Sequence, residues 1–149
     1  LIFICLTLAM SPLKRLTNLN VWIKFRRMMG LFVFFYATIH LLTYVAIDYR
    51  FDWMPIFDDV LKKKYIFIGF SAWLLLIPLV ATSSKKMTKL LKHNWKKLHK
   101  LIYLIAIFGA LHYIWLSKSI FFKPLIFMLI ILVLLMLRIK IKKKETNYG

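Results

Sequence analysis

Acidic residues are scarce in this chain: five Asp and Glu stand against 23 Lys and Arg. No two carboxylates share the interior of an apolar run, so a buried carboxylate pair for acid and base work is excluded. The single cysteine, Cys5, has no partner for an intrachain disulfide, and it can form neither a CxxC metal site nor a CxxCH attachment motif. Four glycines in 149 residues make neither a GxGxxG nor a Walker pattern, and no Ser, His and Asp fall in a hydrolase-like arrangement. Any chemistry is left to the four histidines.

What is abundant is apolar surface. Apolar residues make up 62% of the chain and charged ones 19%, whereas a soluble domain carries about half and about a quarter. A soluble domain of this length could not bury such an excess. The apolar residues are gathered into runs near the ~20 residues that a hydrocarbon core of about 30 Å demands of a helix, so lipid is the expected solvent. A net charge of +18 would suit nucleic acid, which basic proteins bind by displacing counterions. Here the basic residues sit in short segments between apolar runs, where membrane topology and anionic headgroups explain them better.

Four full apolar stretches are expected to span: Met28 to Asp48, Tyr65 to Ala81, Leu98 to Leu116 and Ile120 to Leu137. Leu1 to Leu13 is apolar but short, and it reads as the end of a helix that begins earlier. It lacks a basic lead and runs into Lys14 and Arg15, a poor fit to a signal peptide. The expected fold class is all-α: a polytopic transmembrane helix bundle of four full spanning helices plus a truncated N-terminal helix, with residues 1–149 forming one domain. Basic residues crowd 14–27, 85–100 and 138–144, while 48–64 and 118–123 carry fewer of them, with Asp48, Asp52, Asp58 and Asp59 in the first of these. The positive-inside rule puts the first set in the cytoplasm, so the first and third full helices run outward in parallel.

Ionisable groups inside spanning helices are costly and tend to be functional, and His40 and His112 are the two clear cases. Arg27 to His40 and His99 to His112 are each 13 residues, about 20 Å of helix rise. His40 and His112 therefore fall at one depth in the outer half of the membrane. Two imidazoles placed so could grip one iron from both faces, as in a bis-histidine electron-transfer haem. A lone membrane histidine as often bonds a neighbouring helix; the matched depth is what favours ligation. His99 lies at the cytoplasmic boundary, roughly 140° around a straight helix from His112, so the two should not serve the same haem face. It could be a ligand of a second haem, a propionate contact or an interfacial residue.

At the height of His99 the first helix offers Arg26 and Arg27 rather than histidine. These arginines, with Lys97 and Lys100, could pair with propionates or snorkel to lipid phosphate. Gly30, Ala37, Gly109 and Ala110 could admit a neighbouring backbone or a porphyrin face. Tyr36, Tyr44, Tyr103, Tyr113 and Trp115 could wall such a site, although each is as readily ordinary packing or interfacial belt. His93 reads as solvated.

The run Arg26-Arg27-Met28-Met29-Gly30-Leu31, Tyr36 to His40 and Tyr44, then Ala81-Thr82-Ser83, Trp95 to His99, Tyr103 and His112-Tyr113 carry a resemblance. Together they resemble the MsrQ (YedZ) family of haem-binding membrane subunits, itself part of the ferric-reductase-like transmembrane proteins. The resemblance covers nearly the whole chain. It implies haem b, with His40, His99 and His112 as the haem-ligand histidines, and by family description FMN. It implies electrons taken from the quinone pool or a cytosolic flavin reductase at the bacterial inner membrane. Delivery would be to MsrP, a periplasmic molybdopterin enzyme that reduces methionine sulfoxide in proteins. The chain would then be an electron-transfer subunit rather than the catalytic one. With eleven residues after Arg138, no soluble flavin or nucleotide domain is expected within this sequence, and no segment shows a flavin site by itself. The family carries further helical sequence ahead of the part that matches Leu1. The competing expectations are another ferric-reductase-like or cytochrome b subunit with a different acceptor, or a small membrane transporter subunit without haem.

Overall fold

The computed structural model describes residues 1–117 and 122–146, with side chains as far as Arg138. Among them are seven α-helices and no strand: α1 Ile2–Thr17, α2 Val21–Thr43, α3 Trp53–Lys62, α4 Lys64–Ala81, α5 Lys85–Leu98, α6 Leu101–Leu116 and α7 Phe122–Thr146. A π-helical turn, Tyr44–Asp48, continues α2. α1 packs against α2 and α7, α2 against α4, α4 against α6, and α6 against α7, so five helices close into a ring. Its centre is filled by Ile4 and Leu8 of α1, Val33 of α2, Leu76 of α4, Ile105 and Ala106 of α6 and Ile131 of α7. Phe35, Phe67, Leu129 and Val133 point out of the ring, as lipid-facing side chains do when every backbone group is satisfied within its own helix.

Among the described residues, Val21–Asp48 and Lys64–Ala81 are each long and apolar enough to cross a membrane. α5 and α6 pass the same test only together, across a bend of 48°. The chain thus forms the expected all-α transmembrane bundle, with α1 built into its core. The start of the fourth apolar stretch, at Ile120, lies outside the described residues.

Three local features differ from the sequence expectation. α2 begins at Val21 rather than Met28. The outer loop contains α3, whose Pro55 sits in the first turn, where the missing N–H costs little. The segment expected as a basic loop is helical, α5, broken at Lys92, whose φ of 45° is left-handed. Ser84 Oγ caps it by accepting the Met87 N–H at 3.1 Å, and Trp95 Nε1 donates to the Thr82 carbonyl at 2.9 Å, tying α5 to the end of α4. A lysine-rich helix cannot continue into hydrocarbon, so the chain bends at His99 and Lys100 before α6 begins.

The basic end is held by a long-range contact. Pro12 lies inside α1 and has no N–H to give the Leu8 carbonyl one turn earlier. Arg138 of α7 supplies the donor: its Nη2 reaches Leu8 O at 2.9 Å, Thr7 O at 3.3 Å and Ser11 Oγ at 2.9 Å. Nη1 donates to the Tyr103 hydroxyl at 3.1 Å, and the guanidinium stands 5.4 Å over the same ring. Arg138→Met should therefore cost about 2 kcal/mol, the scale of hydrogen bonds from a charged donor. Pro12→Ala restores a backbone donor for Leu8 and should reduce that cost when the two are combined. Thermal unfolding of both single variants and the double in detergent measures the coupling. Strictly additive effects would show that Arg138 does not serve the carbonyl freed by Pro12.

Candidate functional site

His40 and His112 stand near the C-terminal ends of α2 and α6. These two helices scarcely touch each other; each packs on α4, which leaves a gap between them. Across it the two imidazole centroids are 6.1 Å apart with their planes at 78°. Two imidazoles on opposite sides of one metal ion need about 6 Å, given metal–nitrogen bonds of about 2 Å and the ring radii. The sequence expectation that these histidines share a depth is met in their contact.

The surroundings of His112 fix which nitrogen is free. Its Nδ1 lies 2.7 Å from the Tyr65 carbonyl, a contact it makes as an N–H donor, so the lone pair is on Nε2. Metal-ligating histidines characteristically have their other nitrogen held this way. Gly69, one turn beyond Tyr65 on α4, faces the same ring: a Cβ there would come within 2.6 Å of Nδ1 and 2.8 Å of Cε1. One turn further, Trp73 Nε1 donates to Thr38 Oγ1 of α2 at 3.0 Å, and its indole stacks on Phe34. A single stripe of α4 thus positions both histidine helices. Gly69 escaped the sequence analysis; its signal was a lone glycine at helical spacing between two aromatic residues.

Among the described residues no group of three or more His, Cys, Asp or Glu could hold a bare metal ion. A pair of imidazoles suits an iron whose other ligands come from a porphyrin, so the donor set fits haem. The supporting residues divide differently from expectation. A Cβ on Gly109 would touch Ile4 of α1 and Leu1 just before it at 3.6 Å, and Ala110 is buried in the core, so both serve helix packing. Tyr36 stacks on Phe3, Tyr113 meets Phe127 edge-on, and Tyr103 belongs to Arg138. Trp115 is exposed, and Gly30 meets nothing within 4 Å.

Just outward of His40 is a polar cluster. Tyr44, on the π-helical turn, and Tyr49 have ring centroids 4.9 Å apart, and both hydroxyls donate to Asp59 of α3, which also pairs with Lys63 at 2.6 Å. Lys63 first, and then the Tyr49 hydroxyl, hold the Asp59 carboxyl below its ordinary range; Asp59 in turn raises the Lys63 ammonium. The stability a depressed carboxylate contributes is present above its unfolded value and lost as pH falls through the folded one.

His99 occupies the opposite, basic end. It closes α5 rather than sharing a helix with His112, with its ring stacked on Trp95 at 4.0 Å and Nδ1 3.2 Å from the Trp95 carbonyl. Arg26 lies near it and donates to Ser11 Oγ at 3.3 Å, while Arg27, Lys97, Lys100 and His93 are exposed. Arg26 is about 20 Å of helix rise from His40. The structure therefore joins His40 with His112 and leaves His99 and Arg26 together elsewhere.

A ring of apolar helices is the architecture of a polytopic membrane protein, and the chain belongs to the ferric-reductase-like transmembrane family: the family described as "Ferric reductase like transmembrane component" matches residues 1–110. It is similar to the protein-methionine-sulfoxide reductase heme-binding subunit MsrQ of Xanthomonas oryzae pv. oryzae, 48% identical over 129 residues that cover 87% of this chain and 59% of the relative. The MsrQ of Herminiimonas arsenicoxydans is 47% identical over 134 residues, 88% of this chain and 62% of that protein. The chain thus spans about three fifths of the length of these curated relatives. The resemblance to MsrQ drawn from the sequence is upheld. No solved structure matches.

Proposed function

We propose that the chain holds haem b in the gap between α2 and α6, where His40 and His112 would hold its iron, and passes electrons across a bacterial inner membrane to a methionine-sulfoxide reductase. The observation that carries this reading is the 6.1 Å pairing of the two imidazoles. The printed names of the relatives, heme-binding subunits of such a reductase, support it. When bound, the haem supplies a one-electron couple between ferric and ferrous iron.

The protein's own part is positional. Tyr65 O holds the His112 ring so that Nε2 is the available nitrogen, Gly69 gives the ring room, and Trp73 anchors α2 so that His40 faces it. At the basic end His99 and Arg26 stand where an electron from the quinone pool or a cytosolic flavin reductase would enter. There a second haem or a propionate would find one histidine and one guanidinium. The exit lies at the His40 end, toward the molybdopterin enzyme MsrP. FMN, which the family resemblance brings with it, is assigned no residue.

His99→Ala should slow reduction from the cytoplasmic-side donor and lower haem content in part, while the spectrum of the His40 and His112 haem persists. Stopped-flow reduction with pigment quantitation checks this, and wild-type values for both would return His99 to an interfacial role. The pathway itself is tested by reconstitution: proteoliposomes holding the haem-loaded full-length protein and a reduced quinone should support methionine-sulfoxide reduction by added MsrP. A protein that is reduced by quinol yet never re-oxidised by MsrP and substrate would refute the acceptor and leave haem binding standing.

A further inference from the structure

A cavity of about 440 Å³ opens at the basic end of the bundle, between the last turns of α1 and the first turns of α2. Its walls include Ser11 and Lys14 of α1, Asn18 of the connecting turn, and Trp22 and Arg26 of α2. Asn18 makes this concavity: its φ of 54° ends α1 in the left-handed conformation and turns the chain straight back. The Trp22 indole is held in place by a 2.7 Å bond from Nε1 to Thr17 Oγ1.

Arg26 and Arg138 converge on one neutral hydroxyl, Ser11 Oγ, at 3.3 and 2.9 Å. Lys14 and Arg15 stand with Arg26 on the cavity wall. Among the described residues no carboxylate pairs with Lys14, Arg26 or Arg138; the ion pairs of Asp58 and Asp59 lie in α3, at the other end. Like charges gathered in a concave site call for an anion, and guanidinium groups bind phosphate oxygens with matching geometry.

The cavity's rim says which kind of phosphate. Ile23 on its wall is 46% exposed, so an acyl chain leaving the cavity would run along apolar surface. A tryptophan at this level is the usual residue of the membrane–water interface. Basic pockets between spanning helices on the positive side are suited to acidic lipid headgroups.

We propose that the α1–α2 cavity binds the phosphate headgroup of an anionic phospholipid from the leaflet on the basic side. Lys14 and Arg26 neutralise the phosphate, Ser11 and Asn18 offer polar contacts around it, and the acyl chains lie against Ile23. The site is separate from the pair His40 and His112; Arg26 is shared with the basic-end position proposed above, so a propionate there and the lipid phosphate would compete for it.

Native mass spectrometry of the purified full-length protein, titrated with phosphatidylglycerol, phosphatidylcholine or inorganic phosphate, tests it. Phosphatidylglycerol should be retained at least about tenfold more tightly than phosphatidylcholine, since only the former carries net charge to the cavity. Lys14→Gln and Arg26→Gln should each weaken phosphatidylglycerol about tenfold and leave phosphatidylcholine unchanged, while Arg26→Lys keeps most of the binding. Lys14→Gln, which removes no described hydrogen bond, carries the test by itself if Arg26→Gln misfolds. Equal retention of the two lipids, or phosphatidylglycerol binding untouched by Lys14→Gln, would overturn the proposal. Displacement of phosphatidylglycerol by an equal concentration of inorganic phosphate would assign the cavity to a soluble anion and overturn the lipid assignment.

Discussion

Alanine at either His40 or His112 should leave the purified protein without the haem that the pair holds. The two rings face each other at 6.1 Å across helices that otherwise barely meet, so removing one imidazole leaves the iron a single protein ligand and an open face. The Soret absorbance of that haem should disappear in both variants, and equally in the double variant, because the two residues act as one unit. Retention of a full low-spin bis-histidine spectrum in both single variants would show that the iron is held elsewhere. The prediction is sharper for His112, whose ring is already locked on the Tyr65 carbonyl at 2.7 Å.

Gly69→Ala is the second substitution with a large expected effect, and its sign is what makes it informative. Replacing glycine by alanine inside a helix ordinarily stabilises by up to about 1 kcal/mol. Here the new Cβ would fall 2.6 Å from His112 Nδ1, inside van der Waals contact, and the ring would have to leave the Tyr65 carbonyl. Loss of an orienting partner typically weakens a metal site about 10- to 100-fold. Haem affinity of Gly69→Ala should drop by that order even though the variant folds. Gly30→Ala provides the control, since a Cβ there meets nothing within 4 Å, and its haem affinity should match the wild type. Equal haem affinity in Gly69→Ala and the wild type would mean that His112 moves freely and is not preset.

The paired histidines were legible because depth in a membrane helix is a count of residues, and the equal 13-residue offsets from Arg27 and His99 carried the information. The apolar runs likewise marked the bundle. What escaped depends on neighbours far away in sequence. Gly69 matters only because α4 and α6 lie side by side, and nothing in α4 alone says which residue will face it. The service of Arg138 to the Leu8 carbonyl joins the two ends of the chain, although Pro12 announced that one carbonyl would need a donor. The break at His99 was hidden because the residues from Trp95 to Leu116 continue a helical pattern, while the bend of 48° separates the lysine-rich part from the apolar part. α3 was within reach: Trp53, Met54, Phe57 and Leu61 recur at helical spacing and stand exposed on one short helix.

The central claim, that His40 and His112 together hold one haem, is tested most directly by the optical and electron paramagnetic resonance spectra of the wild-type protein purified from membranes. The expected result is a Soret band with a low-spin ferric signal of two imidazole ligands, both lost in His112→Ala. A wild-type preparation from haem-replete cells with no Soret band, or with only a high-spin five-coordinate signal, would contradict it.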